Sequence, residues 1–409
     1  MEYAFDVAAA ARLAQFMERV GKALPRPEQR ASFATYMLGL LSDAERKSVE
    51  PIAARAAADP VETQRMHDRL LHFARESPWS DRRVRREAAT YAIEAMKQRR
   101  ELVTTWIVDD TGFVKQGRHS PGVQSQYTGS IGGVANCQIG VSLCVATRTQ
   151  QVPVDFALYL PKEWADDPMR RKRARIPESI AFKTKIDLAI DMIRDARKDG
   201  LPGHVLLADA AYGDAASFRN AARDCGFDYA VGVRPQCPVW LLDDGARRMS
   251  EEPAQVQTIA KALQPIHFRR IAWRDGNKKL VGHFAFRRVI AAAKTEALGP
   301  LRSDPQWLII ERMNSGEVPF KFFLTTLPGS TMSRKEVVRI LKERVKTEQM
   351  YEELKGELGL DHFEGRSFTG WHHHVSVAMC CYAFIVAERV RAFFPSGQAR
   401  QRRSIKVAA

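Results

Sequence analysis

The sequence predicts a mixed α/β protein, with an α/β core that follows an all-helical domain and is interrupted by a β-rich insertion. Three observations predict it. Residues 1–100 carry repeated helix-start signals, short β-rich runs begin at Thr104 and alternate with helical stretches, and residues 234–332 return to apolar strands before helices resume at Ser333. The predicted divisions are 1–100 (helical), 101–233 (first part of the core), 234–332 (insertion), 333–395 (C-terminal helices of the core) and 396–409 (basic tail). A chain of 409 residues is long enough for two or three such units.

In the N-terminal part, Ser42 with Glu45 reads as a capping box, and Asp59-Pro60 with Glu62 supplies a cap, a first-turn proline and an N3 acid. Ser80 opens a helix to about Arg100 whose first turns hold Arg82, Arg83, Arg85 and Arg86, where the helix dipole disfavours cations. This predicts an external anion and makes Arg82, Arg83 and Arg86 candidate DNA contacts. The alternative is a solvated face in which Arg83 pairs with Glu87.

The core begins with "TTWIVD", "CQIGVSLCVAT" (Cys137 to Thr147) and "VPVDFALYL" (Val152 to Leu160), three neighbouring strands that suggest an antiparallel meander. A helix from about Glu178 to Lys198 follows. Next come a buried strand "HVLLAD" (His204 to Asp209), a helix near Asp214 to Cys225, and a strand "DYAVGV" (Asp228 to Val233). This is the order of a ribonuclease-H-like α/β layer. The insertion offers "RIAW", "LVGHFAF", "QWLIIE" and "FKFFLTTL" as strands. Ser333 with Glu336 starts a helix expected to run past Lys355, and a last helix spans about Trp371 to Phe394 before a disordered basic tail.

Charge bears on partners. With 63 Lys+Arg against 48 Asp+Glu, the chain carries +15 and a pI near 9.7, which favours a polyanion. Membrane insertion is disfavoured, because the longest apolar run, Val375 to Ala387, falls short of the ~20 residues needed to span a bilayer. There is no basic-then-apolar leader, and six scattered cysteines form no CxxC pair. A cytoplasmic, nucleoid-associated protein is expected.

Cutting a phosphodiester without a covalent intermediate needs a hydroxide-like nucleophile and a charge clamp on the leaving oxygen. Two hard cations ~4 Å apart supply both and prefer carboxylate oxygens. "WIVDDTG" and "LLADAAYGD" are apolar strands that end in Asp, and a third acid from a packed helix would complete such a site. Neighbouring strand residues face opposite ways, so only one of Asp109 and Asp110 can face it. On a continuous helix, Arg344, Glu348 and Lys355 would lie within about 40° of one another. A solvated helix surface with an Arg344 to Glu348 salt bridge is the alternative.

Three blocks carry a resemblance. "VDDTGFVKQGRHSPGVQSQYTGSIGGVANCQIGVSL", "LLADAAYGD" and "ERVKTEQMYEELKGELGLDHFEGRSFTGWHHHV" resemble, in order, the catalytic blocks of bacterial insertion-sequence DDE transposases. The likeness covers about residues 100–395. It is nearest the branch with a Tyr-Arg-Glu-Lys signature, whose Arg, Glu and Lys spacing fits Arg344, Glu348 and Lys355, although Leu341 stands at the tyrosine position. The resemblance implies a catalytic, metal-holding triad of Asp110, Asp209 and Glu348, since the ligand precedes the threonine of the first block. It implies two Mg²⁺ ions, with Mn²⁺ as a substitute, and phosphate contacts from Arg344 and Lys355. It also implies cut-and-paste chemistry on transposon-end DNA and target DNA, with a homodimer when the ends are paired. An inactivated DNA-binding relative or a non-mobile nuclease with the same core are the competing readings.

Other segments get lesser roles. "RRKRAR" (Arg170 to Arg175) is read as a loop that contacts the DNA backbone through Arg170, Arg171, Lys172 and Arg173. His372, His373 and His374 are expected to meet phosphate or solvent, and "GSIGG" (Gly129 to Gly133) to make a turn. Trp240, Trp273 and Trp307 are expected in the core, with one available to stack on an unpaired base.

Overall fold

The computed structural model describes residues 7–129, 131–242, 250–275, 278–292, 304–313, 319–327 and 332–392. The basic tail predicted at 396–409 lies outside them. In chain order the helices and strands are α1 (Val7–Gly21), α2 (Pro27–Leu41), α3 (Val49–Ala56), α4 (Pro60–Arg75), α5 (Asp81–Gln98), β1 (Thr105–Val114), β2 (Gln124–Thr128), β3 (Gly133–Ala146), β4 (Gln151–Leu158), α6 (Lys162–Ala165), α7 (Pro168–Ala174) and α8 (Lys185–Lys198). There follow β5 (Val205–Ala208), α9 (Ala210–Gly213), α10 (Ala216–Asp224), β6 (Asp228–Val233), β7 (Pro238–Leu241), β8 (Ala254–Gln255), α11 (Val256–Ala262), β9 (Arg269–Asp275), β10 (Lys278–Ala291), β11 (Gln306–Arg312) and β12 (Phe320–Thr325). α12 (Arg334–Leu341), α13 (Val345–Gly356) and α14 (Phe368–Ala392) complete the chain. Two compact units result, one from residues 1–103, 109–192 and 346–409, the other from 104–108 and 193–345.

In the first unit, α14 is apolar all round and is buried along Trp371 and Val375 to Ala387, as expected of a helix surrounded by others. It packs against α1, α2, α4, α5 and β4. The apolar run from Val375 is therefore the axis of this core, and no described helix is long and apolar enough to cross a membrane. Trp371 meets Phe113 and Phe156 edge-on, with ring centroids 5.5 and 5.9 Å apart, which ties α14 to β1 and β4. β3 is central among the strands: β2 and then β4 pair antiparallel with successive stretches of it, and β1 is also its neighbour.

In the second unit, Thr105–Val108 of β1 pair parallel with Val205–Ala208, and β5 pairs parallel with β6. The insertion continues this sheet rather than standing apart, since β12 pairs antiparallel with β6, then β11, β10 and β7 follow, and β9 pairs with β10.

The capping expectations divide. Asp59 and Ser80 accept N–H bonds from Glu62 and Arg83 as N-caps of α4 and α5, and Ser333 does so from Glu336 at α12. Ser42 instead closes α2 as its C-cap, and the next helix waits for Ser48, because the buried Lys47 ammonium gathers the Leu40 and Ser42 carbonyls at 2.8 and 2.6 Å. The helix expected from Glu178 begins at Lys185. "RRKRAR" is mostly helix, not loop: Asp167 caps α7 by accepting from Met169 and Arg170 N–H, and Pro168 takes its first turn. The helix expected from Ser333 past Lys355 is broken by a 3₁₀ turn at Lys342–Arg344.

Candidate functional site

β1 is buried from Thr105 to Asp109 and emerges at Asp110. Alternation sends the two carboxylates apart. Asp109 Oδ1 turns back to accept the Asp110 N–H at 2.9 Å, while Asp110 Oδ2 accepts a 3.0 Å bond from Lys185 Nζ at the start of α8. This ion pair is partly exposed, at 35% and 21% of the side-chain surfaces. Sequence reasoning does not find Lys185; a lysine in the first turn of a helix, 75 residues from its partner, gives no local signal.

Glu348 lies on α13, whose buried face is Thr347, Met350, Tyr351 and Leu354. That face is fastened at several points. Tyr351 shares a hydrogen bond with Ser142, Gln151 Nε2 donates to Lys346 O at 2.7 Å, and Lys355 Nζ donates to Thr111 Oγ1 and Gly112 O at 2.8 and 2.7 Å. Glu348 is exposed at the edge of this seated helix. Glu353, a rival in the sequence, is taken by Arg389 of α14 at 2.7 Å, whereas Glu352 is exposed like Glu348.

Glu348 and Lys355 share a face of α13, but Arg344 does not belong to that helix. It lies in the 3₁₀ turn, so the angular argument linking all three stops at Val345. Burial lowers the Lys355 pKa below the usual lysine range, with Asp361 partly offsetting it. Its ammonium sits 5.4 Å from the Phe113 ring centre and braces β1 immediately after Asp110.

In the second unit, Asp209 follows the last buried residue of β5 and caps α9, with Oδ1 accepting the Ala211 N–H at 2.9 Å. The turn fits only because β6 has glycine behind it: a Cβ at Gly232 would come within 2.9 Å of Ala210 N. Asp214, the nearby alternative, accepts the Arg234 N–H at 2.9 Å and faces its guanidinium at 3.4 Å.

Other sequence expectations change. The dipole-opposing arginines of α5 find internal anions: buried Arg85 bonds Asp155 at 2.8 Å and Asp81, and Arg86 lies 3.6 Å from the other Asp155 oxygen. Burial alone would raise the Asp81 carboxyl pKa; the Arg85 charge overrides it and holds it below the usual range. Arg83 is exposed, Arg82 is half-buried, and Glu87 pairs with Arg19 instead.

On α7, Arg171 donates to the Ala165, Pro177 and Ile180 carbonyls, Arg170 lies 3.5 Å from Asp167, and Lys172 and Arg173 are exposed. The three histidines do not reach outward. His373 lies between the Ala74 and Trp79 carbonyls, and His374 bonds Tyr36 Oη and Gly359 O. His372 Nε2 accepts the Leu158 N–H at 3.3 Å. Among the tryptophans, Trp273 is buried, and partly exposed Trp307 is covered by the Arg288 guanidinium 5.0 Å from its ring centre.

Among the described residues, no group of three or more His, Cys, Asp and Glu side chains is gathered for a metal ion. Asp110 and Glu348 belong to the first unit and Asp209 to the second. The oxygen donors nonetheless suit a hard divalent cation, and Asp110 already holds a positive charge in the form of the Lys185 ammonium.

Comparisons with known proteins bear on the family. Residues 181–384 match the family described as "Transposase DDE domain". A curated relative described as "Probable transposase for insertion sequence element IS701", from Microchaete diplosiphon, is 26% identical over 212 residues. That stretch covers 52% of this chain and 50% of the relative, so the chain spans about half the length of the protein it matches. A second family match, described as "DDE superfamily endonuclease", runs over residues 19–280, more than half of the sequence, and on that match the chain belongs to the DDE superfamily of endonucleases.

Proposed function

We propose that this protein is an insertion-sequence DNA transposase that cuts and rejoins DNA with Asp110, Asp209 and Glu348 as its metal-holding acids. The carrying observation is the parallel pairing of Thr105–Val108 with Val205–Ala208, after which one strand runs into Asp109-Asp110 and the other into Asp209. Two buried, parallel-paired stretches that are each followed in sequence by aspartate agree with a ribonuclease-H-like core. Glu348, on a helix braced against β1 by Lys355, is the third acid. The Tyr-Arg-Glu-Lys branch is the best fit within the superfamily, with Leu341 in place of its tyrosine.

Two bound Mg²⁺ ions would activate water and neutralise the leaving oxygen. The chain's own residues do the positioning. Asp209 is held by the Ala211 N–H, and Asp110 is oriented by Lys185. Lys355 keeps Thr111 and Gly112 in place, which fixes the direction in which Asp110 leaves the strand. The +15 net charge supports the DNA backbone as partner, for transposon ends and target alike, and pairing two ends calls for a homodimer on DNA.

The test is incubation with DNA from the regions flanking the gene and Mg²⁺, with mapping of cut ends. Wild type should release 3′-hydroxyl ends, and Asp209→Asn should bind the same DNA within a few-fold while cutting none. Near-normal cleavage by Asp209→Asn would remove it from the site.

A further inference from the structure

Large apolar side chains are exposed together where β2 turns into β3. Tyr127 and Val134 are direct cross-strand partners, 65% and 68% exposed, and Ile131 in the connection is 55% exposed. β2 is an edge strand, with β3 as its only described partner. The basic segment that precedes the hairpin is bound to it at both ends. Asn136 Nδ2 donates to Lys115 O and Gly117 O at 2.6 and 3.0 Å, and buried Gln138 donates to Pro121 O at 2.7 Å. Between these anchors Arg118 and His119 are exposed. The chain has no Asp or Glu between Asp110 and Asp155, so the segment and hairpin themselves contribute cations and apolar groups, and the carboxylates of Asp361 and Glu364 act on Lys115 at the segment's start.

The hairpin is also fixed relative to Asp110. Thr128, its buried corner, packs directly on β1 at Gly112, where a Cβ would come 2.0 Å from Thr128 Oγ1. Only glycine fits two residues beyond Asp110, and the hairpin is thereby held beside that stretch of β1.

We propose that the β2–β3 hairpin is a DNA-contact element, in which Tyr127, flanked by Val134 and Ile131, packs on an unpaired base beside the cutting site while Arg118 holds the backbone. An exposed aromatic among apolar neighbours offers a stacking platform for any base, and the exposed Arg118 offers a cation to phosphate. A second copy pairing along the β2 edge is the competing occupant. It is disfavoured because pairing of the two edges would bring the exposed Arg118 and His119 of both copies to one surface. The proposal rests on the reading that the chain acts on DNA, but not on the three acids.

The experiment uses the full chain in EDTA, so that no cutting occurs, with two DNA probes. One is a blunt duplex; the other has a short unpaired 3′ end that carries 2-aminopurine. Wild type should prefer the unpaired end and quench its fluorescence. Tyr127→Ser should weaken binding to that probe about tenfold and abolish the quenching, with blunt-duplex affinity and salt slope unchanged, and Tyr127→Phe should behave as wild type. Arg118→Gln should flatten the log K against log salt slope by ~0.9 on both probes. Tyr127 is exposed, so an unchanged urea midpoint will show that the variant is folded. Wild-type binding and quenching by Tyr127→Ser would overturn the proposal. So would a DNA-free dimer that Tyr127→Ser or Val134→Ser dissociates, which would assign the surface to a second copy. Asp209→Asn should match wild type here, which keeps this test separate from that of the acids.

Discussion

The surroundings of α13 in the first unit and of α9 in the second pose the same problem, several acids close together in sequence, and solve it alike. Around α13, Arg389 engages Glu353, and Glu348 is exposed at the helix edge. Around α9, Arg234 engages Asp214, while Asp209 is held by one backbone N–H. An acid bonded to a basic side chain must exchange that partner before it can hold another cation, which applies to Asp110 with Lys185 as it does to Glu353 and Asp214, whereas the neutral Ala211 N–H holds Asp209 without cancelling its charge. The difference lies in the restraint. Asp209 is set by a turn with no freedom behind it, at Gly232, whereas Asp110 is held by a lysine whose four-carbon stem can swing away.

The largest effect that could break this comparison is in chemistry. Glu348→Gln should abolish cleavage and joining, by more than about 10³-fold, with DNA binding intact. Glu353→Gln should stay within roughly tenfold, equivalent to about 1.4 kcal/mol in barrier, and so should Glu352→Gln. If Glu352→Gln is dead and Glu348→Gln cuts normally, the third acid sits one turn further along α13.

A second expectation sharpens the contrast between engaged and available groups through pH. Burial pushes His373 and His374 down to about 4, outweighing the carbonyls that face them. A folded pKa below the unfolded value means that the neutral ring stabilises the fold above about pH 6.5, and this contribution disappears as pH falls from there toward 4. Between pH 7 and 5 the urea midpoint should fall by an amount equivalent to about 2 kcal/mol per histidine. A His374→Gln variant should show a shallower decline. A flat midpoint over that range would mean the rings are charged in the folded protein.

The smallest effect concerns the cations of α7. Replacing Lys172 and Arg173 with glutamine should flatten the salt slope of DNA binding by ~0.9 for each phosphate that is no longer neutralised, at unchanged stability. Arg171→Gln should do the reverse, because its guanidinium bonds three carbonyls. A salt slope that responds to Arg171 alone would invert the assignment.

Much of the fold is legible in the sequence because it depends on short-range pattern. Short apolar runs, alternating in β3, β4 and β6 and continuous in β1 and β5, announce those strands, and Asp59, Ser80 and Ser333 announce the starts of α4, α5 and α12. Both aspartates at strand ends are visible for the same reason. Where local pattern misleads, a partner outside the pattern intervenes. Lys47 draws the chain after Leu41 out of helix, Asp155 supplies the anion that the α5 arginines need, and Asp167 turns a basic run into a helix.

Local pattern alone supplied the candidate donors, aspartates that follow short apolar runs, and the cationic surplus that favours a polyanion. Which charges meet was settled by the packing of distant elements. Asp110 meets Lys185 across 75 residues, Arg85 meets Asp155 across 70, and Glu353 meets Arg389 across 36. Charge pairing is settled by distance in space within a few ångströms, and in a folded chain that distance is set by the packing of whole elements.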